Sequence, residues 1–81
     1  MRYRFDIVAA NHTGTLSRIA RILESRNHAL LSLQSGMLED DLSRIRLVIA
    51  ASPQSAEKIR LLLQRMIGVI DVHMQEALET L

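Results

Sequence analysis

Between Tyr3 and Ala10 apolar and polar residues alternate, with Tyr3, Phe5 and Ile7 on one side and Arg2, Arg4 and Asp6 on the other. A period of two predicts a strand with one buried face. From Leu16 the period changes. Leu16, Ile19, Ala20 and Leu23 recur at helical spacing, while Ser17, Arg18, Arg21 and Glu24 face away. Asn27-His28 ends this helix, because Asn tolerates the left-handed backbone that helix ends use. Leu30 to Met37 reads as a second strand, interrupted near Gly36, and Glu39-Asp40-Asp41 as a polar reversal. A third strand runs from Leu42 to Ala51, with Ile45, Leu47 and Ile49 opposite Arg44, Arg46 and Val48. Ser52-Pro53 then starts a second helix: a hydroxyl at the N-cap, and proline where its missing N–H costs nothing. Ala56, Ile59, Leu62, Leu63 and Met66 give that helix an apolar stripe. Gly68 stops it, and Val69 to Met74 is the last strand.

The order β-α-β-β-α-β predicts an α+β fold of the ferredoxin-like kind. Right-handed crossovers place both helices on one face of a four-stranded antiparallel sheet. One domain over residues 1–76 and a C-terminal tail over residues 77–81 follow from this reading. Eighty-one residues leave no room for a second domain of ordinary size. Hydrophobic residues make up 48% of the chain but aromatics only 2%, so the core is aliphatic.

Charge narrows the partners. A net charge of +1 offers no general attraction to nucleic acid or to an anionic membrane. The chain has no cysteine, which excludes disulfides and thiolate metal sites. The start MRYRFDIV turns polar too soon for a secretory signal, and no apolar run reaches membrane-spanning length. The expectation is a cytoplasmic protein.

Several functions share this topology. RNA-recognition domains stack bases on aromatics of the central strands, but the third strand, LSRIRLVI, has none. An RNA-binding reading would rest on Arg4, Arg44 and Arg46 sharing an open face. His12, His28 and His73 lack the spacing of a metal site. The serines offer no nucleophile elbow or base partner, so no catalytic residue is assigned. The stretch Asn11-His12-Thr13-Gly14-Thr15 remains, at the mouth of the first helix. A helix N-terminus presents unpaired N–H groups and a partial positive charge. Gly14 keeps bulk away, so a carboxylate can approach, and Asn11 can both donate and accept. This suits a free amino acid. The plain alternative is that Thr13 or Thr15 caps the helix and Gly14 only turns the chain.

The runs NHTGTLSRIA, RNHALLSLQS and DDLSRIRLVI, with VIDV near the end, resemble the ACT domain of acetolactate synthase small regulatory subunits. Asn11, Gly14, Leu16, Ser17 and Arg18 match the first element of that family, N-x-x-G-x-L-S-R. Arg26, Ser32 and Leu33 match part of its second, R-G-[YF]-N-I-x-S-L. Leu42, Ser43 and Arg44 match the third, and Val69, Asp71 and Val72 the last. The single-domain small subunit of isozyme II is similar again in its A-S-P-x-S segment, here Ala51, Ser52, Pro53 and Ser55. The resemblance implies a non-catalytic subunit with no cofactor of its own. It would activate the thiamine-diphosphate-dependent catalytic large subunit in branched-chain amino acid biosynthesis. It also implies a small effector, typically valine, held between two ACT domains by the turn and by the Asn of R-G-[YF]-N. Here that Asn is Ala29 and the preceding glycine is Asn27. An unpaired polar ligand group costs roughly 1–3 kcal/mol, so the resemblance implies weakened valine binding. The effector residues expected are Asn11, Thr13, Gly14, Thr15, Leu16, Ser17 and Leu33. A stand-alone ACT amino-acid sensor is the alternative.

Self-association has its own argument. In the usual strand order the second strand lies on a sheet edge, and Leu30 to Ser35 contain neither charge nor proline. Such an edge is a liability unless covered. A homodimer across this edge is expected, with Leu30, Leu31, Leu33 and Gln34 at its interface. Arg18 and Arg21 on the first helix are candidates for contact with the catalytic partner, or simply a solvated face.

Overall fold

A computed structural model describes residues 1–10, 14–24 and 29–77. The elements are β1 (Arg2–Ala10), α1 (Thr15–Glu24), β2 (Ala29–Glu39), β3 (Leu42–Ala50), α2 (Pro53–Arg65) and β4 (Val69–Glu76). They form one antiparallel sheet in the order β2-β3-β1-β4. β3 and β1 are therefore the central strands, and β2 and β4 form the two edges.

The alternation in β1 decides which side is buried. Tyr3, Phe5, Ile7 and Ala9 join Ile45, Leu47 and Ile49 of β3 and Val72 of β4 in one core. Ile19 and Leu23 of α1 and Ala56, Ile59 and Leu63 of α2 complete it. Both helices thus cover the same face, as the crossovers require. Phe5, Ile7, Leu47, Ile49 and Leu63 are fully buried, and each contributes about 1.5–3 kcal/mol of apolar burial.

Local chemistry fixes the second helix. Ser52 has extended dihedrals and its hydroxyl accepts from the Ser55 N–H at 3.1 Å, with Pro53 at the first helical position. Arg60 pairs with Glu57 one turn earlier. Past the helix, Gly68 takes a φ of +96° that other residues rarely adopt.

Two strands differ from the expectation. β2 is not interrupted at Gly36 but continues to Glu39. Gly36 has no positive φ and stands directly opposite Arg44. The irregularities fall instead at Leu31 and Leu38, which have no partner on β3. β4 runs to Glu76 rather than ending at Met74, because Gln75 and Glu76 still pair with Arg4 and Tyr3. Ala77 continues the attachment, its N–H donating to the Arg2 carbonyl at 2.8 Å.

Candidate functional site at the start of the first helix

Where β1 hands over to α1, Gly14 adopts a φ of +90°, and its carbonyl accepts the first bond of the helix from the Arg18 N–H at 2.9 Å. The N–H groups of Thr15, Leu16 and Ser17 precede that bond and have no partner within the helix. No acidic residue occupies the first turn. Instead Arg18 folds back: its guanidinium donates to the Thr15 hydroxyl at 3.5 Å, and lies 3.7 Å from where a Cβ on Gly14 would be. Thr15 is buried. Its hydroxyl is engaged by Arg18, so the helix start carries a full positive charge beside the partial charge of its dipole.

Beside this helix start lies a hollow of 140 Å³, lined by Ala9, Ala10, Thr15, Leu16, Ser35, Ser43 and Ile45. Its position follows from register. Ala9 is opposite Ser43, and Ser35 opposite Ile45, so three strands meet the helix start at one end of the sheet. Small residues at Ala9 and Ala10 leave the space. The Ser35 and Ser43 hydroxyls make no hydrogen bond among the described residues. The hollow thus combines an apolar floor, unengaged hydroxyls and a cationic rim. It lies below the roughly 300 Å³ at which drug-sized pockets begin, a size suited to one small amino acid.

Of the residues expected from the sequence, Thr15 and Leu16 line this hollow, and Gly14, with its positive φ, immediately precedes them. Ser17 is exposed on the helix. Leu33 is not part of the wall: it pairs with Leu47, further along the same face, and packs against the core. Asn11 and Thr13 lie outside the described residues, as do His12 and His28. Sequence reasoning missed Ser35, Ser43, Ala9, Ala10 and Ile45. The period of two would have placed Ser43 on the helix-covered face, two residues before the buried Ile45.

The β2 edge carries exposed apolar residues towards both ends, with Ser32, Gln34, Ser35 and Gly36 between them. Leu30, Leu31, Met37 and Leu38 are all exposed, Met37 at 73%. On the opposite, uncovered face of the sheet, Asp6 receives Arg46 at 2.7 Å and Arg4 at 3.2 Å. Burial pushes the Asp6 carboxyl up, but the hydrogen bond and charge of Arg46, with those of Arg4, outweigh it and hold the group below its ordinary range. Tyr3 and Phe5 are in the core, so neither aromatic of the chain lies on that face. That removes the base-stacking platform an RNA-binding domain of this topology uses. Among the described residues no three His, Cys, Asp or Glu converge as a metal site. No described helix is long and apolar enough to cross a membrane.

Comparisons with known proteins agree with this architecture. A family model for the AHAS small subunit-like ACT domain matches residues 5–71. A search of curated proteins finds no match. Among solved structures, the ACT domain from the GTP pyrophosphokinase of Chlorobium tepidum superposes with a TM-score of 0.81 at 14% identity, covering 93% of this chain and 97% of that one. The C-terminal domain of the MgtC protein from Mycobacterium tuberculosis gives 0.77 at 20% identity, covering 94% and 86%. The regulatory subunit of aspartate kinase from Thermus thermophilus gives 0.68 at 10% identity, covering 91% of this chain and 50% of that one. At these identities the likeness establishes the fold.

Proposed function

We propose, since this chain belongs to the family of AHAS small subunit-like ACT domains, that it is a regulatory subunit of acetolactate synthase. ACT domains of this family are non-catalytic. In this reading the protein works in the cytoplasm, binds the catalytic large subunit and raises its rate of acetolactate formation. A small amino acid of the branched-chain class is the effector. In this reading it is a short form similar to the single-domain small subunit of isozyme II.

The observation that carries the reading is the hollow at the start of α1. Its unpaired helix N–H groups and Arg18 suit a carboxylate, its hydroxyls suit an amine, and its apolar floor suits a short aliphatic side chain. Ser35 of the edge strand β2 forms part of its lining, so the hollow lies next to that edge. Pairing two copies antiparallel along β2 would cover Leu30, Leu31, Met37 and Leu38 and make one continuous eight-stranded sheet. Leu33 and Gln34 lie on the same strand and join that interface. Ala29 pairs with Ala50 at the far end of the sheet from Ser35 and Ser43. Antiparallel pairing would bring the start of β2 from one copy towards the hollow of the other. The effector site of this reading is then built from Asn11, Thr13, Gly14, Thr15, Leu16 and Ser17 of one copy with β2 of the second, Leu33 included. Ala29 offers no side-chain hydrogen bond there, so valine binding is weak.

The test is acetolactate formation by the catalytic large subunit, titrated with this protein. A saturable rise in rate supports the reading. An unchanged rate at saturating protein overturns it and leaves a stand-alone ACT sensor, which needs the same hollow but another partner.

A further inference from the structure

We propose that the uncovered face of the sheet carries a binding site for a small zwitterion with its carboxylate and ammonium at opposite ends of a short chain, an ω-amino acid. The strand registers set the two poles of the site. Val8 of β1 stands opposite Arg44 of β3 and opposite Asp71 of β4, so the three form one row across the sheet. The next row is Arg46, Asp6 and His73. All six residues line a hollow of 370 Å³.

The charge of this face is nearly balanced. Arg2, Arg4, Arg44 and Arg46 share it with Asp6, Asp71 and Glu39, the last standing opposite Leu42. Such a face has little long-range pull on a ligand of one sign. A ligand that carries both charges needs no surplus, only one available group of each sign beside the same hollow. The ion pairs show which groups these are. Arg4 and Arg46 both grip Asp6. Arg44 is exposed and makes no hydrogen bond or ion pair among the described residues. Asp71 meets its strand neighbour His73 through Oδ2 at 3.1 Å, which leaves its Oδ1 without an ion pair among the described residues.

The spacing of these two groups selects the ligand. Adjacent strands lie about 4.8 Å apart, which puts the Cα atoms of Arg44 and Asp71 about 10 Å apart with Val8 between them. The two charges of an α-amino acid flank a single carbon and do not span that gap. A chain of several methylenes spans it. Its carboxylate takes the two parallel donors of the Arg44 guanidinium, its ammonium meets Asp71, and its methylenes lie over the half-buried Val8. The residues lining the hollow come from β1, β3 and β4, with none from β2 or a helix. The site therefore stays open in a dimer paired along β2, and it is separate from the effector hollow on the helix-covered side.

Amide NMR titrations at low salt with ε-aminocaproic acid test this, beside caproic acid and hexylamine, which each keep the chain and one charge. The zwitterion should bind in about the millimolar range, the scale of exposed ion pairs with a few methylene contacts. Its shifts should centre on Val8, Arg44 and Asp71. Each single-charge analogue should bind at least about fivefold more weakly, the upper scale of one exposed ion pair. Arg44→Gln and Asp71→Asn should each weaken the zwitterion by a similar factor. Arg21→Gln, on the exposed side of α1, should change it by less than about twofold. All three side chains are exposed, so the variants should keep the parent's circular dichroism. No saturable shifts, a single-charge analogue binding as tightly, shifts centred on Gly14 and Thr15, or equal weakening in Arg21→Gln would each overturn the proposal.

Discussion

Replacing Leu31 with lysine should dissociate the homodimer proposed along β2. Leu31 has no partner on β3 and keeps 45% of its surface exposed in the single protomer. Fully burying a leucine is worth about 1.5–3 kcal/mol, so covering the remaining 45% contributes about 1 kcal/mol per copy. A two-fold pair uses the residue twice, which makes about 2 kcal/mol, or roughly 30-fold in the dimer dissociation constant. The buried ammonium adds an unpaired charge on top of that loss. A stable interface needs about 800 Å² from each partner, about 15% of this protomer's 5316 Å² surface. The eleven-residue edge with Leu30, Met37 and Leu38 is the apolar surface suited to supply it. Sedimentation equilibrium is the assay. The parent should show twice 9.2 kDa at micromolar concentration and Leu31→Lys should approach 9.2 kDa. Leu61→Lys is the control, because Leu61 is 40% exposed but sits on α2. An unchanged dissociation constant in Leu31→Lys, or loss of the dimer in Leu61→Lys as well, would refute the reasoning.

Ser52→Ala should lower stability by about 1 kcal/mol in urea unfolding, because the Ser55 N–H loses its cap. A change near zero would show that the cap is replaced by water. Gly14→Ala should cost about 1–2 kcal/mol from its φ of +90° rather than from crowding, since the nearest atom, on Arg18, is 3.7 Å away. It should also weaken any effector, and unchanged stability would argue against the turn as described. The folded Asp6 carboxyl titrates below its ordinary value, so the stability it contributes is present above about pH 4 and is lost as pH falls through the folded value. Asp6→Asn should therefore flatten the acid limb of the stability profile in urea titrations, and an identical acid limb would contradict the Arg4–Asp6–Arg46 arrangement.

The fold was legible because β1 and β3 alternate cleanly and the helices carry apolar stripes. Tyr3, Phe5, Ile7, Ile45, Leu47 and Ile49 all stand on the predicted face. Strand ends were less so. Gly36 reads as a break in sequence, but in the sheet it faces Arg44 with ordinary extended backbone, and the real irregularities at Leu31 and Leu38 carry no sequence mark. The site was legible only at the helix start. Of the residues lining the hollow, only Thr15 and Leu16 were named from the turn's chemistry. Ser35 and Ser43 reach the same hollow from two other strands, and only the register brings them together. Arg18 is exposed with the polar face of α1, as read, but the sequence does not mark that its guanidinium also reaches back to the Thr15 hydroxyl.

The most direct test of the account is an amide NMR titration of this chain with valine, repeated on Ala29→Asn. The account predicts weak binding by the parent, with shifts concentrated at Gly14, Thr15, Leu16, Ser35 and Ser43. It predicts binding about tenfold to a hundredfold tighter in Ala29→Asn, the value of one restored polar contact. Shifts centred elsewhere, or no binding by Ala29→Asn at high valine, would contradict the claim that the hollow at the start of α1 holds the effector.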